Sequence, residues 1–190
     1  ILSLMTETNQ QAPVLILSSS LNPDSRSHCL ASAAGDTARV MGIAHELVDL
    51  RDWDLPICDG KECYNHPSIA PVTEKVSTAK ALLIVSPVYN YDLNAAIKNF
   101  VELTGRAWSD KPVGMICMAG GHNSYMSPMS LANSLMFDFR CHIVPRYVYA
   151  TADDFTEDRL PGNELSNRIR QLVTATVDLA DALQWLKTRA

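Results

Sequence analysis

The chain has 190 residues, of which 47% are hydrophobic and 19% charged, the balance of a globular protein with enough chain to bury one full core. Its net charge of −5 contains no basic run, which excludes the electrostatic footprint of a nucleic-acid binder. The five cysteines are too scattered for a disulfide framework.

Residues 1–12 are expected to form a flexible N-terminal segment, with Met5 a candidate start, ahead of one domain over 13–190. The segment lacks the basic start and long apolar stretch of a secretion signal. No stretch approaches the roughly 20 apolar residues of a membrane span, so a cytoplasmic protein is expected.

Pro13 precedes Val14-Leu15-Ile16-Leu17, a short continuous apolar run that suits a central parallel strand covered on both faces. A hydroxyl-rich stretch, 18–27, follows. A helix comes next, with Leu30, Ala33, Ala34, Ala38 and Met41 on its apolar face and Gly42 placed to end it. The second strand is expected at 45–50, and a long loop at 51–71. Within that loop Cys58, Cys63 and His66 lie close together, but the spacing fits no common zinc pattern, so no metal site is expected.

A third strand is expected at 81–85, with Pro87 turning the chain away from it, then a helix over 94–103 closed by Gly105. The fourth strand, 113–118, ends at Gly120-Gly121, and Pro128 suits the first turn of a helix reaching Phe139. The fifth strand, 142–149, contains Pro145, which cannot donate to a ladder and therefore predicts an edge position. A final helix over 164–187 buries Leu165, Ile169, Leu172, Val173, Thr176, Ala180 and Leu183.

Strands alternating with helices predict a flavodoxin-like, three-layer α/β/α sandwich with a five-stranded parallel sheet in the order 2-1-3-4-5. Ligands of such sheets bind beyond the carboxyl ends of the strands, at the switch point between the first and third. The loops there begin at Ser18 and Ser86.

The first loop offers Ser19, Ser20, Asn22, Ser25, Arg26 and Ser27 beside the free N–H groups of a helix start, which favour an anion. It has no glycine, so it suits a monophosphate held by side chains better than a dinucleotide pyrophosphate. The serines are equally suited to capping the helix and shaping a turn. In the second loop, Pro87, Val88, Tyr89 and Asn90 present an aromatic ring and an amide suited to a flat heteroaromatic ring. The alternative there is a strand-to-helix turn with Asn as a cap. Gly120 and Gly121 would let main chain lie against a ligand, or simply form a turn.

Together these loops resemble the NAD(P)H-dependent FMN reductases, a flavodoxin-like family that includes quinone, azo-dye and chromate reductases. In that family a Gly-Ser-x-Arg-x-x-Ser loop binds the FMN phosphate. A Pro-Glu-Tyr-Asn segment leading to a Leu-Lys-Asn helix lines the flavin ring, and a Gly-Gly turn closes the other side. Here Ser20 and Ser25 match the two serines, with Ser19 at the glycine and Asn22 at the arginine. Pro87-Val88-Tyr89-Asn90, Ile97-Lys98-Asn99 and Gly120-Gly121 match the other motifs, with Val88 at the glutamate and Tyr91 at a common glycine.

The resemblance implies an FMN-dependent reductase that takes hydride from NADPH or NADH and passes electrons to a small-molecule acceptor such as a flavin or quinone. It also implies a homodimer or homotetramer. Flavin carries the chemistry, so no side chain is expected as an obligatory general base; His122, beside the glycine turn, is the one candidate. Two other classes stay open, a flavodoxin-type electron carrier and a flavin-free sensor or scaffold.

Overall fold

A computed structural model describes residues 12–189. The expected flexible segment and Met5 lie outside the described residues, Ala12 apart. In chain order the elements are β1 (Val14–Ser18), α1 (Arg26–Val40), β2 (His45–Asp49), α2 (Ile69–Thr78), β3 (Ala81–Tyr89) and β4 (Asp92–Leu93). They continue with α3 (Ala95–Thr104), β5 (Pro112–Met118), α4 (Met129–Phe139), β6 (His142–Ile143), β7 (Val148–Ala150) and α5 (Asn163–Lys187).

The sheet runs β2-β1-β3-β5, with β6 and β7 both beside β5. All pairings are parallel except β4 against β3. The flavodoxin-like order holds, but the sheet has seven strands rather than five. One extra strand is β4, which folds back on the end of β3. The other arises because the fifth position is broken. Val144 donates to Val113 O at 2.9 Å, Pro145 has no N–H to offer, and pairing resumes only at Val148. That broken strand lies at an edge.

Side chains of β1 and β3 alternate between two cores, as a period of two requires. Leu15, Leu17, Leu82 and Ile84 pack with residues of α2, α3 and α4 on one face. Val14, Ile16, Leu83 and Val85 pack with α1 and α5 on the other. All eight are buried to 1% exposure or less, which is why these strands read as unbroken apolar runs.

The segment 51–71 departs from expectation, because α2 begins at Ile69. Pro71 sits in its first turn, where N–H groups have no partner within the helix, so the ring removes nothing. Ile69, Val72 and Val76 give the helix a buried stripe. Met41 and Leu183, expected on buried faces, are exposed and half-buried. Met41 is the C-cap of α1, and Leu183 lies in the last turns of α5. Among the described residues no helix is long and apolar enough to cross a membrane.

Gly114, in β5 beneath α5, has no room for a side chain. A Cβ there would lie 2.7 Å from both Leu83 Cδ2 and Thr176 Oγ1. Gly35, inside α1, differs, since its Cβ would meet His45 Nε2 at an ordinary 3.5 Å. Gly114→Ala is expected to cost about 1–3 kcal/mol through overpacking. Gly35→Ala is expected to gain about 0.5–1 kcal/mol through helix propensity. Urea denaturation of the two variants checks both signs.

Candidate functional site

Strand register aligns the carboxyl ends of β1, β3 and β5, with Ser18 level with Val85 and Pro87 level with Met118. Three connections leave from this edge, 19–25 after β1, the β3–β4 hairpin with the start of α3, and 119–128 after β5.

The first two are joined by Asn94, which is buried and caps α3 by accepting from Ile97 N. Its Nδ2 donates to Ser19 O at 2.7 Å, and its Oδ1 accepts from Ser19 Oγ at 2.9 Å and Ser86 Oγ at 3.1 Å. Ser19 N in turn donates to Val85 O. A hydroxyl at position 19 thus serves the junction between loops, and the Ser19 side chain is committed there rather than free for a ligand.

The other first-loop residues divide by role. Ser25 caps α1, its Oγ accepting from Ser27 N at 3.0 Å. Asn22 forms a local turn by accepting from Asp24 N at 3.0 Å, and Ser20 Oγ accepts from Asn22 N. The Ser20 proton and the first-turn N–H groups of Arg26 and His28 remain as donors. The hydroxyls of Ser18 and Ser27 are buried and have no partner among the described residues. A buried hydroxyl without a partner is uncommon. At a helix start it fits a ligand oxygen.

Positive charge comes to this loop from outside it. Arg26 turns toward the ring of Phe155, its guanidinium 6.0 Å from the centroid. Arg51 reaches Pro23 O at 3.3 Å, and Arg159 donates to Asp24 O. Burial alone would raise the Asp49 carboxyl, but the Arg51 guanidinium bonds to both its oxygens and holds it below the usual range. His28 Nδ1 lies 2.8 Å from the same carboxylate. Arg51 and Arg159 were invisible to sequence reasoning, since they lie 28 and 135 residues from the carbonyls they hold.

In the second connection β3 does not stop at Val85; it runs through Pro87 to Tyr89 and turns back into β4. Pro87 is buried, Val88 half-buried, and Tyr89 and Asn90 exposed. Asn90 and Tyr91 form a two-residue hairpin turn with φ of 51° and 64°. Positive φ at both positions marks a type I′ turn, which prefers glycine second. Tyrosine there stores backbone strain and projects a ring that is 67% exposed.

The third connection carries Gly120 and Gly121. Neither has positive φ, and a Cβ on either would meet no atom within 4 Å. The fold does not need glycine here; glycine keeps the space in front of the turn clear. Tyr149 Oη donates to Gly121 O and Tyr147 Oη to Tyr125 O, and the Tyr125 ring packs tilted against both tyrosines. Burial pushes the Tyr147 phenol up, so it stays a donor. His122 is 72% exposed with Nε2 3.4 Å from Asp153 Oδ2, at the rim of the turn. A cavity of about 760 Å³ lies elsewhere, between α3, α4 and the connection before α2.

The family described as NADPH-dependent FMN reductase matches residues 12–156. An NAD(P)H-dependent FAD/FMN reductase of Geobacillus thermodenitrificans is 29% identical over 138 residues, covering 70% of this chain and 74% of that one. An NADPH:quinone oxidoreductase of Arabidopsis thaliana is 31% identical over 114 residues, covering 57% and 58%. The solved structure of FerB, a flavoenzyme NAD(P)H:(acceptor) oxidoreductase from Paracoccus denitrificans, shares the fold with a TM-score of 0.74. It is 22% identical, over 90% of this chain and 98% of that one.

Removing the Asn94 amide strips a helix cap and leaves buried partners at Ser19 and Ser86. Asn94→Ala is therefore expected to cost at least about 2 kcal/mol. Tyr91→Gly removes the left-handed strain and is expected to gain about 1 kcal/mol. Thermal and urea unfolding measure the two, and a destabilised Tyr91→Gly would show that the ring is held by packing instead.

Proposed function

The chain belongs to the NADPH-dependent FMN reductase family, and we propose that its three loops hold FMN for electron transfer from NAD(P)H to a flavin, quinone or similar small acceptor. The observation that carries this placement is the buried, unpartnered Ser27 hydroxyl at the start of α1. The residues fit FMN on a second count too, because the space before Gly120 and Gly121 is one that a Cβ would enter.

Ser20, Ser27 and the first-turn N–H groups of α1 would hold the phosphate, with the helix dipole and the nearby Arg26, Arg51 and Arg159 favouring its charge. Ser25 and Asn22 fix the loop that presents them, and Ser19 ties it through Asn94 to the second loop. Backbone from Pro87 to Asn90 would meet one edge of the ring, and Gly120-Gly121 the other. FMN, when bound, supplies the hydride chemistry. The chain's part is then to bind, orient and leave one ring face open to the nicotinamide and afterwards to the acceptor. The exposed rings of Tyr89, Tyr91 and Tyr125 give that open face an aromatic rim.

His122 is a rim residue, not a required proton donor. The protein acts in the cytoplasm as a homodimer or homotetramer. In support, Met126 and Phe137 are 65% and 82% exposed, apolar side chains that a second copy would cover.

The purified protein is expected to take up FMN with a flavin absorption spectrum that bleaches on anaerobic addition of NADPH or NADH. Bound flavin that neither nucleotide bleaches would mean an electron carrier, and no uptake at all a flavin-free sensor or scaffold. Gly121→Val is expected to weaken FMN binding at least about tenfold, read by flavin fluorescence quenching, with an unchanged urea midpoint. His122→Ala should bleach at a rate within about threefold of the parent. Abolished turnover with FMN still bound would instead make His122 a proton donor.

A further inference from the structure

The connection between β2 and α2 holds a feature that the three ligand loops do not use. Cys58 Sγ and Cys63 Sγ are 3.9 Å apart, the distance of two thiols in contact. Their approach is built by the backbone. Asp59 Oδ1 accepts from Lys61 N at 2.8 Å and from Cys63 N at 3.1 Å, and Gly60, at φ 74°, makes the turn between them. Asn99, on α3, clamps the other side: its Oδ1 accepts from Cys58 N at 2.8 Å and its Nδ2 donates to Pro56 O at 2.9 Å. His66, close in sequence, has its Nε2 3.8 Å from Asp54 Oδ2.

The two sulfurs differ in setting. Cys63 is 5% exposed and packs with Ile69 and Leu103, whereas Cys58 is half-exposed and lines the 760 Å³ cavity. The backbone N–H groups of Cys63 and Lys61 hold the Asp59 carboxyl at about 2, so it stays ionised beside Cys63. Burial and that carboxylate push the Cys63 thiol up. The remaining thiols are poor competitors. Burial takes Cys117 up to about 12 and Cys141 up to about 11, and Cys29 lies in α1 against Ser25 O.

We propose that Cys58 and Cys63 form a reversible dithiol–disulfide pair, a modification site oxidised by hydrogen peroxide. Cys58, the accessible thiol, attacks one peroxide oxygen; the O–O bond breaks, water leaves, and Cys58 becomes a sulfenic acid. Cys63 then attacks the Cys58 sulfur, and its thiol proton leaves with the displaced hydroxide as a second water. Two thiols lose two hydrogens and two electrons, and one peroxide becomes two waters. Closing the bond draws the sulfurs from 3.9 Å to about 2.05 Å, a movement that a segment of short turns absorbs more easily than a helix or strand.

The test is thiol counting on the whole chain. Alkylation in denaturant should find five reactive cysteines in the reduced protein. After peroxide and quenching it should find three, with a mass about 2 Da lower and a digest that links the Cys58 and Cys63 peptides. Dithiothreitol should restore all five. In Cys63→Ser, which lacks the resolving thiol, Cys58 should go on to the sulfinic acid and gain about 32 Da. Five thiols persisting after peroxide, a bridge to Cys29 or between chains, or a mass change that dithiothreitol does not reverse would each overturn the proposal.

Discussion

One amide ties together two of the connections at the carboxyl edge of the sheet. Asn94 lies at the switch point of the sheet, where connections from β1 and β3 diverge to opposite faces and would otherwise leave an open seam. Both ends of its side chain are used, the nitrogen on Ser19 O and the oxygen on the hydroxyls of Ser19 and Ser86. Because the group is buried, each bond resists replacement by water, and the two loops move as one. The loop proposed to grip phosphate and the loop proposed to meet the ring therefore keep a fixed separation, which a rigid ligand with groups at both places requires.

The departures from the family's motifs gain a physical reading from this junction. Serine in place of glycine at position 19 adds the hydroxyl that Asn94 accepts. Loss of the arginine at position 22 removes one cation from the first loop, yet Arg51 and Arg159 arrive from distant segments and bond the carbonyls of Pro23 and Asp24. Tying carbonyls down on the outside leaves the N–H side of the turn for an anion. Tyrosine at position 91 occupies a left-handed site at a cost in backbone energy and places an aromatic ring at the mouth. Strain of this kind, on an exposed tip beside the loops proposed to hold a ligand, fits binding more than stability.

The thiol pair depends on the same scaffold from the opposite direction. Asn99, one turn beyond the residues that follow Asn94 in α3, anchors the long connection through Cys58 N and Pro56 O. Helix α3 thus fixes the flavin-proposed loops at its start and the dithiol segment on its flank. The connection is long because it crosses this flank before α2 can begin, which accounts for a stretch of chain with few apolar residues between two packed elements.

The sequence by itself determined the layered sheet, its strand order and the three loops at its carboxyl edge, because those depend on local signals. Continuous apolar runs mark strands covered on both faces, Gly42 and Gly105 mark helix ends, and Pro145 marks an edge. It missed α2, hidden behind a proline that a first turn accepts, and the β3–β4 hairpin, hidden because tyrosine stands where glycine would announce the turn. Tertiary structure alone decided which serines are free. Ser19, Ser25 and Ser27 look alike in the chain, yet one bonds across the switch point, one caps a helix and one is left without a partner. The choice rests on groups up to 75 residues away, such as Asn94 beside Ser19, and no local pattern encodes contacts of that range.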